Sequence, residues 1–261
     1  MALLTAALYA EVLVKLFREY LAGGTLSYAF PVILLAVFFF YQSRKDLVLQ
    51  VAAPQSSGLW LIALACLAFL AGTLAAELFL TRISLVLLLA GFSWTFWGLP
   101  RTRVLLLPLL LLATAIPLPA IIYNALAGPV QVLLSRISSA LAQILGLYLY
   151  SDGTSINVPK LSFPVGEMCA GLRALPSLWV VALLLFASRR IGPRLIALVV
   201  VSCFTMAAIL GRILGTAALA DRNPDLARAF FQFTSAWAVF LSGVILLGIL
   251  LRLVLRGERK A

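Results

Sequence analysis

The chain has 261 residues, 64% of them hydrophobic and 11% charged, with a formal net charge of +11 and a mean hydropathy of +1.11. A soluble domain is nearer half apolar and a quarter charged, so this composition excludes one. The basic excess then reads as the lysines and arginines that orient a membrane protein, not as a nucleic-acid footprint.

Residues 3–20 predict an apolar helix with Glu11 and Lys15 one turn apart; it is the weakest span, with an interfacial position as the alternative. No charged n-region and small-residue cleavage site mark a cleaved signal peptide. Tyr28–Tyr41 is short but flanked by aromatic residues, as an interfacial belt would be. Arg44, Lys45 and a polar loop over Pro54-Gln55-Ser56-Ser57-Gly58 follow. Leu59–Leu80 is long enough to cross the hydrocarbon. A tight turn at Thr81-Arg82 leads to a span over Ile83–Trp97, which Leu99-Pro100 and the pair Arg101 and Arg103 end. The next span, Val104 to about Tyr123, is broken near its end by Pro117-Leu118-Pro119.

Residues 129–150 differ. Gln131, Ser135, Arg136, Ser138, Ser139 and Gln143 interrupt the leucines and predict an amphipathic helix on the outer surface or partly re-entrant. Residues 151–163 read as an extended, turn-rich segment in the manner of a hairpin. Three further spans are expected at about 170–188, 195–219 and 232–255. The expectation is an all-α polytopic membrane protein, a single integral membrane domain over 1–261. It has about eight transmembrane helices plus the amphipathic outer helix, and 124–168 forms an outer-face connection.

Orientation follows from the basic residues. With eight spans and both termini inside, Arg44, Lys45, Arg101, Arg103, Arg189, Arg190, Arg194, Arg252, Arg256, Arg259 and Lys260 fall on the cytoplasmic side, as the positive-inside rule requires. Cys169 then lies at the outer face.

Three cysteines, Cys66, Cys169 and Cys203, are too few for a disulfide framework. Cys66 and Cys203 sit inside apolar runs and read as core residues. With no histidine in the chain, no Cys/His metal site is expected, and no cofactor is implied.

Cys169 is different, because it stands at the mouth of an apolar run within Pro164-Val-Gly-Glu-Met-Cys-Ala-Gly-Leu-Arg-Ala-Leu-Pro176. If the helix has begun by Cys169, Arg173 shares its face one turn on. The helix dipole and a guanidinium would both favour the reactive thiolate, so the thiol is expected to titrate below about 8.5. The alternative is a small packing cysteine beside an arginine that anchors the helix to headgroups.

Arg212, in Ile-Leu-Gly-Arg-Ile-Leu-Gly-Thr, lies toward the outer end of a span. A charge at that depth costs several kcal/mol, of order ~3, unless paired or snorkelling, which makes it a functional candidate. Adjacent antiparallel spans bring it to the outer end with Cys169. Glu167, Arg173, Asp221, Arg222, Arg228 and Gln232 can reach the same place. Thiol acyl transfer needs a thiolate, an oxyanion stabiliser and a group that moves the leaving-group proton. Cys169 suits the first role and Arg212 the second. The third stays open, since arginine remains protonated.

These motifs resemble the exosortase/archaeosortase family of membrane transpeptidases over most of the chain. The residues that carry the likeness are Leu107-Pro108 with Ala115-Ile116-Pro117-Leu118-Pro119, the segment Gly153 to Pro159, the motif Val165-Gly-Glu-Met-Cys-Ala-Gly-Leu-Arg173, and Gly211-Arg212-Ile213. Ala170 stands where the family's motif has serine, and Ile209 where it has asparagine. The resemblance implies a third catalytic residue beside cysteine and arginine, histidine in most exosortases and arginine in archaeosortases. Ser235-Ala-Trp-Ala-Val-Phe240 looks like the family's final span, which puts Gln232 at the histidine position. Arg222 or Arg228 is the archaeosortase-like alternative, and Arg173, Glu167, Arg222 and Arg228 are expected to bind substrate.

The resemblance further implies a cysteine peptidase and transpeptidase in a prokaryotic plasma (inner) membrane, with its site on the outer face. Its substrate would be the C-terminal sorting signal of exported proteins: a short motif such as Pro-Glu-Pro, a membrane span and a basic tail. Its partners would be membrane lipid and a lipid or polysaccharide acceptor, with no nucleic acid. The alternative is a non-catalytic binding or assembly partner for such anchors or for exopolysaccharide export. A transporter is disfavoured by the lack of paired mid-membrane acids and inverted halves.

Overall fold

The computed structural model describes residues 2–21, 26–49, 54–152, 155–158, 161–186 and 191–258. Arg189, Arg190, Arg259 and Lys260, which figure in the orientation argument, lie outside the described residues. The chain divides into two compact units: Met1–Ala22 with Ala29–Pro119, and Gly23–Tyr28 with Ala120–Ala261.

The first unit is built from α1 (Ala2–Leu21), α2 (Ala29–Leu49), α3 (Gly58–Leu74) and α4 (Leu78–Ala115). Glu11 and Lys15 form the expected i,i+4 ion pair at 2.7 Å. The turn after α3 falls at 75–77, where Ala76 takes a positive φ of 53°, ahead of the expected Thr81-Arg82. Thr81 and Arg82 instead open α4, where buried Arg82 meets Glu19 at 2.6 Å. α4 carries two predicted spans across one bend. Gly98 turns the chain with φ 80° and ψ 168°, a conformation that costs glycine little. Thr102 Oγ1 donates to the freed Gly98 carbonyl at 2.9 Å, and Ser93 and Thr102 bridge the bend at 3.1 Å. Tyr20 Oη donates to the carbonyl of Ala115, the last residue of α4, at 2.9 Å, capping an otherwise orphaned acceptor. Cys66 is exposed on α3 and Cys203 on α8, defined below. The apolar runs around them are apolar because they face outward, so neither is the core residue expected.

The second unit opens with α5 (Ala120–Ile144), which begins directly after the Pro117–Pro119 break. It starts earlier than the expected 129 and is apolar enough to cross a membrane. β1 (Tyr150–Ser151), β2 (Ser155–Val158) and β3 (Leu161–Pro164) follow as an antiparallel sheet of order β1-β2-β3. This small sheet is the one departure from an all-α architecture among the described residues. β2 pairs with β3 in the register Ile156↔Phe163, which buries both side chains on one face. Next come α6 (Val165–Met168), a 3-10 turn (Ala170–Ala174), α7 (Leu175–Leu185), α8 (Ile191–Arg222), α9 (Pro224–Phe233) and α10 (Ala236–Glu258).

α9 was not expected. Its signals stand in the sequence: Asn223 as cap, Pro224 at the first helical position and Asp225 in the first turn. Asn223 Oδ1 accepts from the amides of Asp225 at 2.9 Å and Leu226 at 3.4 Å. α9 lies close on α8 because Gly215 leaves room: a Cβ there would stand 2.9 Å from the Phe230 ring.

Among the described residues four helices are long and apolar enough to cross a membrane: α4, α5, α8 and the Ala236–Arg256 part of α10. Shorter apolar helices over Ala29–Arg44, Gly58–Leu74 and Ala170–Leu185 accompany them. The protein is a helical, multi-pass membrane protein.

Candidate active site

The site is assembled entirely within the second unit. The short β3 strand delivers the chain into α6, and Cys169 ends that single turn with φ −91° and ψ 19°. Its amide donates to the Val165 carbonyl at 2.9 Å, and its own carbonyl accepts from Leu172 at 3.0 Å. Cys169 therefore sits at a junction between two tight turns, not in the first turn of a long helix. This corrects the expectation that Cys169 and Arg173 share a helical face. Three residues per turn in the 3-10 segment carry position i+4 around the axis. Arg173 instead lays its guanidinium over the Tyr123 ring, 4.2 Å from the centroid. Gly171 lets this turn approach α8 and α10, since a Cβ there would meet Ile209 at 3.1 Å and Val239 at 3.3 Å.

Cys169 is 0% exposed, within a buried cluster that includes Tyr123, Phe163, Met168, Leu172, Ile209 and Ile213. It lies between the spanning helices α5 and α8 and outside both. Burial pushes the thiol up to about 12, and the Arg212 charge only partly offsets this. The expected depressed thiol is thus corrected. Desolvation outweighs the guanidinium, because an anion loses more in a closed apolar cluster than one cation returns.

Arg212 is 5% exposed. Its Nη1 donates to the carbonyls of Glu167 at 2.8 Å and Met168 at 3.0 Å. Its Nη2 donates to the Phe231 carbonyl at 2.9 Å, and the Phe231 ring lies 4.3 Å from the guanidinium carbon. Nε, also buried, has no partner. Among the described residues no carboxylate forms an ion pair with Arg212. A buried cation held by three carbonyls, with its Nε–H unclaimed, can receive developing negative charge.

The other candidates stand differently. Glu167 contributes its backbone carbonyl to Arg212, while the residue itself is exposed. Gln232, Arg222, Asp221 and Arg228 are exposed, and Arg228 lies 3.9 Å from Asp225 on the surface of α9. At the expected third position it is Phe231, not Gln232, that turns inward. It stacks on Phe163 at 4.5 Å between ring centroids and covers Arg212. A one-residue offset on a helix is about 100° of rotation, and no motif in the sequence marked it. We expect Gln232→Ala to keep processing within about twofold. Phe231→Ala should lower thermal stability by about 2 kcal/mol, since roughly that is lost when a half-buried aromatic goes. A thermal melt beside a processing assay checks both.

Tyr123, with Gln131 bonded to its hydroxyl and Arg173 over its ring, belongs to the buried cluster of Cys169, and no motif in the sequence marked it. It lies far from the nucleophile segment along the chain and belongs to no recognisable spacing.

No curated protein and no solved structure matches the chain. A family model described as transmembrane exosortase matches residues 21–249. That range takes in the Cys169 turn, the Arg212 helix and the closing helix α9, so the chain belongs to the transmembrane exosortase family.

Proposed function

We propose that the protein is a cysteine transpeptidase that cleaves C-terminal sorting signals of exported proteins at the outer face of a prokaryotic inner membrane. The observation that carries this reading is the bond from Arg212 Nη1 to the carbonyls of Glu167 and Met168. It binds the one buried arginine of the α8 motif to the backbone directly before Cys169. In this reading the Cys169 sulfur attacks the scissile carbonyl, and the unclaimed Arg212 Nε–H receives the oxyanion. A thioester then holds the exported protein until a lipid or surface acceptor releases it. Cys169 is fully covered, so the peptide carbonyl reaches it only after a covering side chain moves. Glu167, Arg222 and Arg228, exposed in this unit, would meet the substrate before that step.

The test is capture of the intermediate. Membranes containing the protein and a secreted reporter, ending in a sorting segment from the same genome, are quenched in acid. A hydroxylamine-labile adduct on Cys169 is expected by mass spectrometry. Processing without any such adduct, by a protein lacking Cys169, overturns the reading.

A further inference from the structure

The bend in α4 makes a groove as well as a turn. Leu61 of α3 and both arms of α4 line a cavity of about 380 Å³, within the range of small-molecule sites. Ile83 and Ala113 line it together, as do Trp94 and Arg103, so the two arms run back along each other from Gly98. On the first arm the groove extends from Ile83 to Trp94, which is about 16 Å of helix. Its walls are leucine, isoleucine, valine and alanine except at the end beside the bend.

That end is polar. Arg103 lies there and is exposed. Among the described residues no ion pair or hydrogen bond engages its guanidinium. Trp94 lines the same end and donates its Nε1–H to Gln55 Oε1 at 2.9 Å. An indole with its N–H in a polar contact and its ring on an apolar wall is the pattern of a membrane–water boundary. An apolar slot that ends at such a boundary, beside an unpaired cation, has the polarity of an anionic lipid. The chain suits the walls, and the phosphate suits the planar guanidinium.

We propose that this groove is a binding site for an anionic phospholipid, which lays one acyl chain between the arms of α4 and its phosphate against Arg103. A zwitterionic lipid brings the same chain but no net charge to the arginine. The span of a sorting segment fits less well. A helix is about 10 Å across, several times the cross-section that this volume leaves along the groove. Its basic tail would also bring like charge to Arg103. Occupancy of the groove does not depend on the chemistry at Cys169.

The test uses the full-length protein in phosphatidylcholine nanodiscs that carry one photoactivatable probe at a time. Both probes have a diazirine in the same acyl chain; one has a phosphatidylglycerol head and the other a phosphatidylcholine head. Labelled peptides are read by mass spectrometry. The anionic probe should label the walls at Leu87, Leu106 and Leu110 about fivefold more than the zwitterionic one, the roughly 1 kcal/mol that a basic residue gains at an anionic surface. Arg103→Gln changes an exposed side chain and leaves the packing alone. It should bring the two probes close to equal labelling, and Arg103→Lys should keep the preference. Ala90→Phe fills the groove. It should cut labelling of the walls severalfold for both probes, with labelling of exposed Ile245 and Ile249 on α10 unchanged. Equal labelling of the walls by the two probes in the wild-type protein overturns the proposal, as does an anionic preference that survives Arg103→Gln. Displacement of the label by a sorting-segment reporter would assign the groove to that span and overturn it too.

Discussion

Cys169→Ala is expected to abolish processing, with a loss of at least about 10⁴-fold, while the helices and the thermal melt stay nearly unchanged. Losing the nucleophile of a covalent mechanism removes a reaction path, and losses of about 10⁶ in kcat accompany such knockouts elsewhere. The structural cost is small because only one sulfur atom leaves a buried site, roughly 1 kcal/mol at most on the scale of deleted core groups. The turn itself is held by backbone bonds from Val165 and to Leu172, which alanine retains. Cys169→Ser should be nearly as inactive, since a buried hydroxyl ionises less readily than a thiol. Cys66→Ala and Cys203→Ser should process normally, because both residues are exposed on outward helix faces. Immunoblots of reporter cleavage in membranes, beside circular-dichroism melts, separate the two effects. A Cys169→Ala protein with full processing would refute covalent catalysis.

What was legible in the sequence followed the range of the signal. The helices from residue 2 to 115 could be placed because apolar runs and charged punctuation are local properties, and the Glu11–Lys15 pair formed as spaced. The bend inside α4 fell at Gly98, three residues before the arginines that mark the loop in sequence, because backbone freedom and not charge sets where the chain turns. The pairing of Cys169 with Arg212 was legible only as two motifs at the ends of neighbouring spans. The structure joins them through carbonyls, which carry no side-chain signature. Thiol ionisation went the other way because burial is a property of the whole cluster, summed over Ile156, Phe163, Ile209, Ile213 and others. The choice between Phe231 and Gln232 depended on the rotation of α9, and that rotation is set by the Gly215–Phe230 contact. No residue pattern within α9 states it.

Arg212→Lys is expected to lose about 10²- to 10³-fold in processing, and to loosen α9. The loss in rate is that of one oxyanion donor; the loosening follows from the fork. Nη1 holds the two carbonyls before Cys169 and Nη2 holds Phe231 on α9, so one planar group ties the nucleophile turn to the closing helix. An ammonium is a single point with rotatable donors and cannot reach both sides while still presenting a hydrogen toward substrate. The burial of this cation without a carboxylate makes the same argument energetically. An isolated buried charge costs several kcal/mol, on the order of 3 or more, even after relaxation. In the proposed reaction the compensating negative charge would arrive as the oxyanion. Arg212→Met removes that charge but abandons three carbonyls, each worth about 1–3 kcal/mol when left unsatisfied. It should therefore melt earlier than Arg212→Lys and be at least as inactive. Limited proteolysis within Pro224–Phe233 reads the loosening directly: cleavage should quicken in both variants and stay at wild-type rate in Cys169→Ala. Equal protease resistance in all three would mean that Arg212 serves the chemistry alone and that the Phe231 contact carries no load.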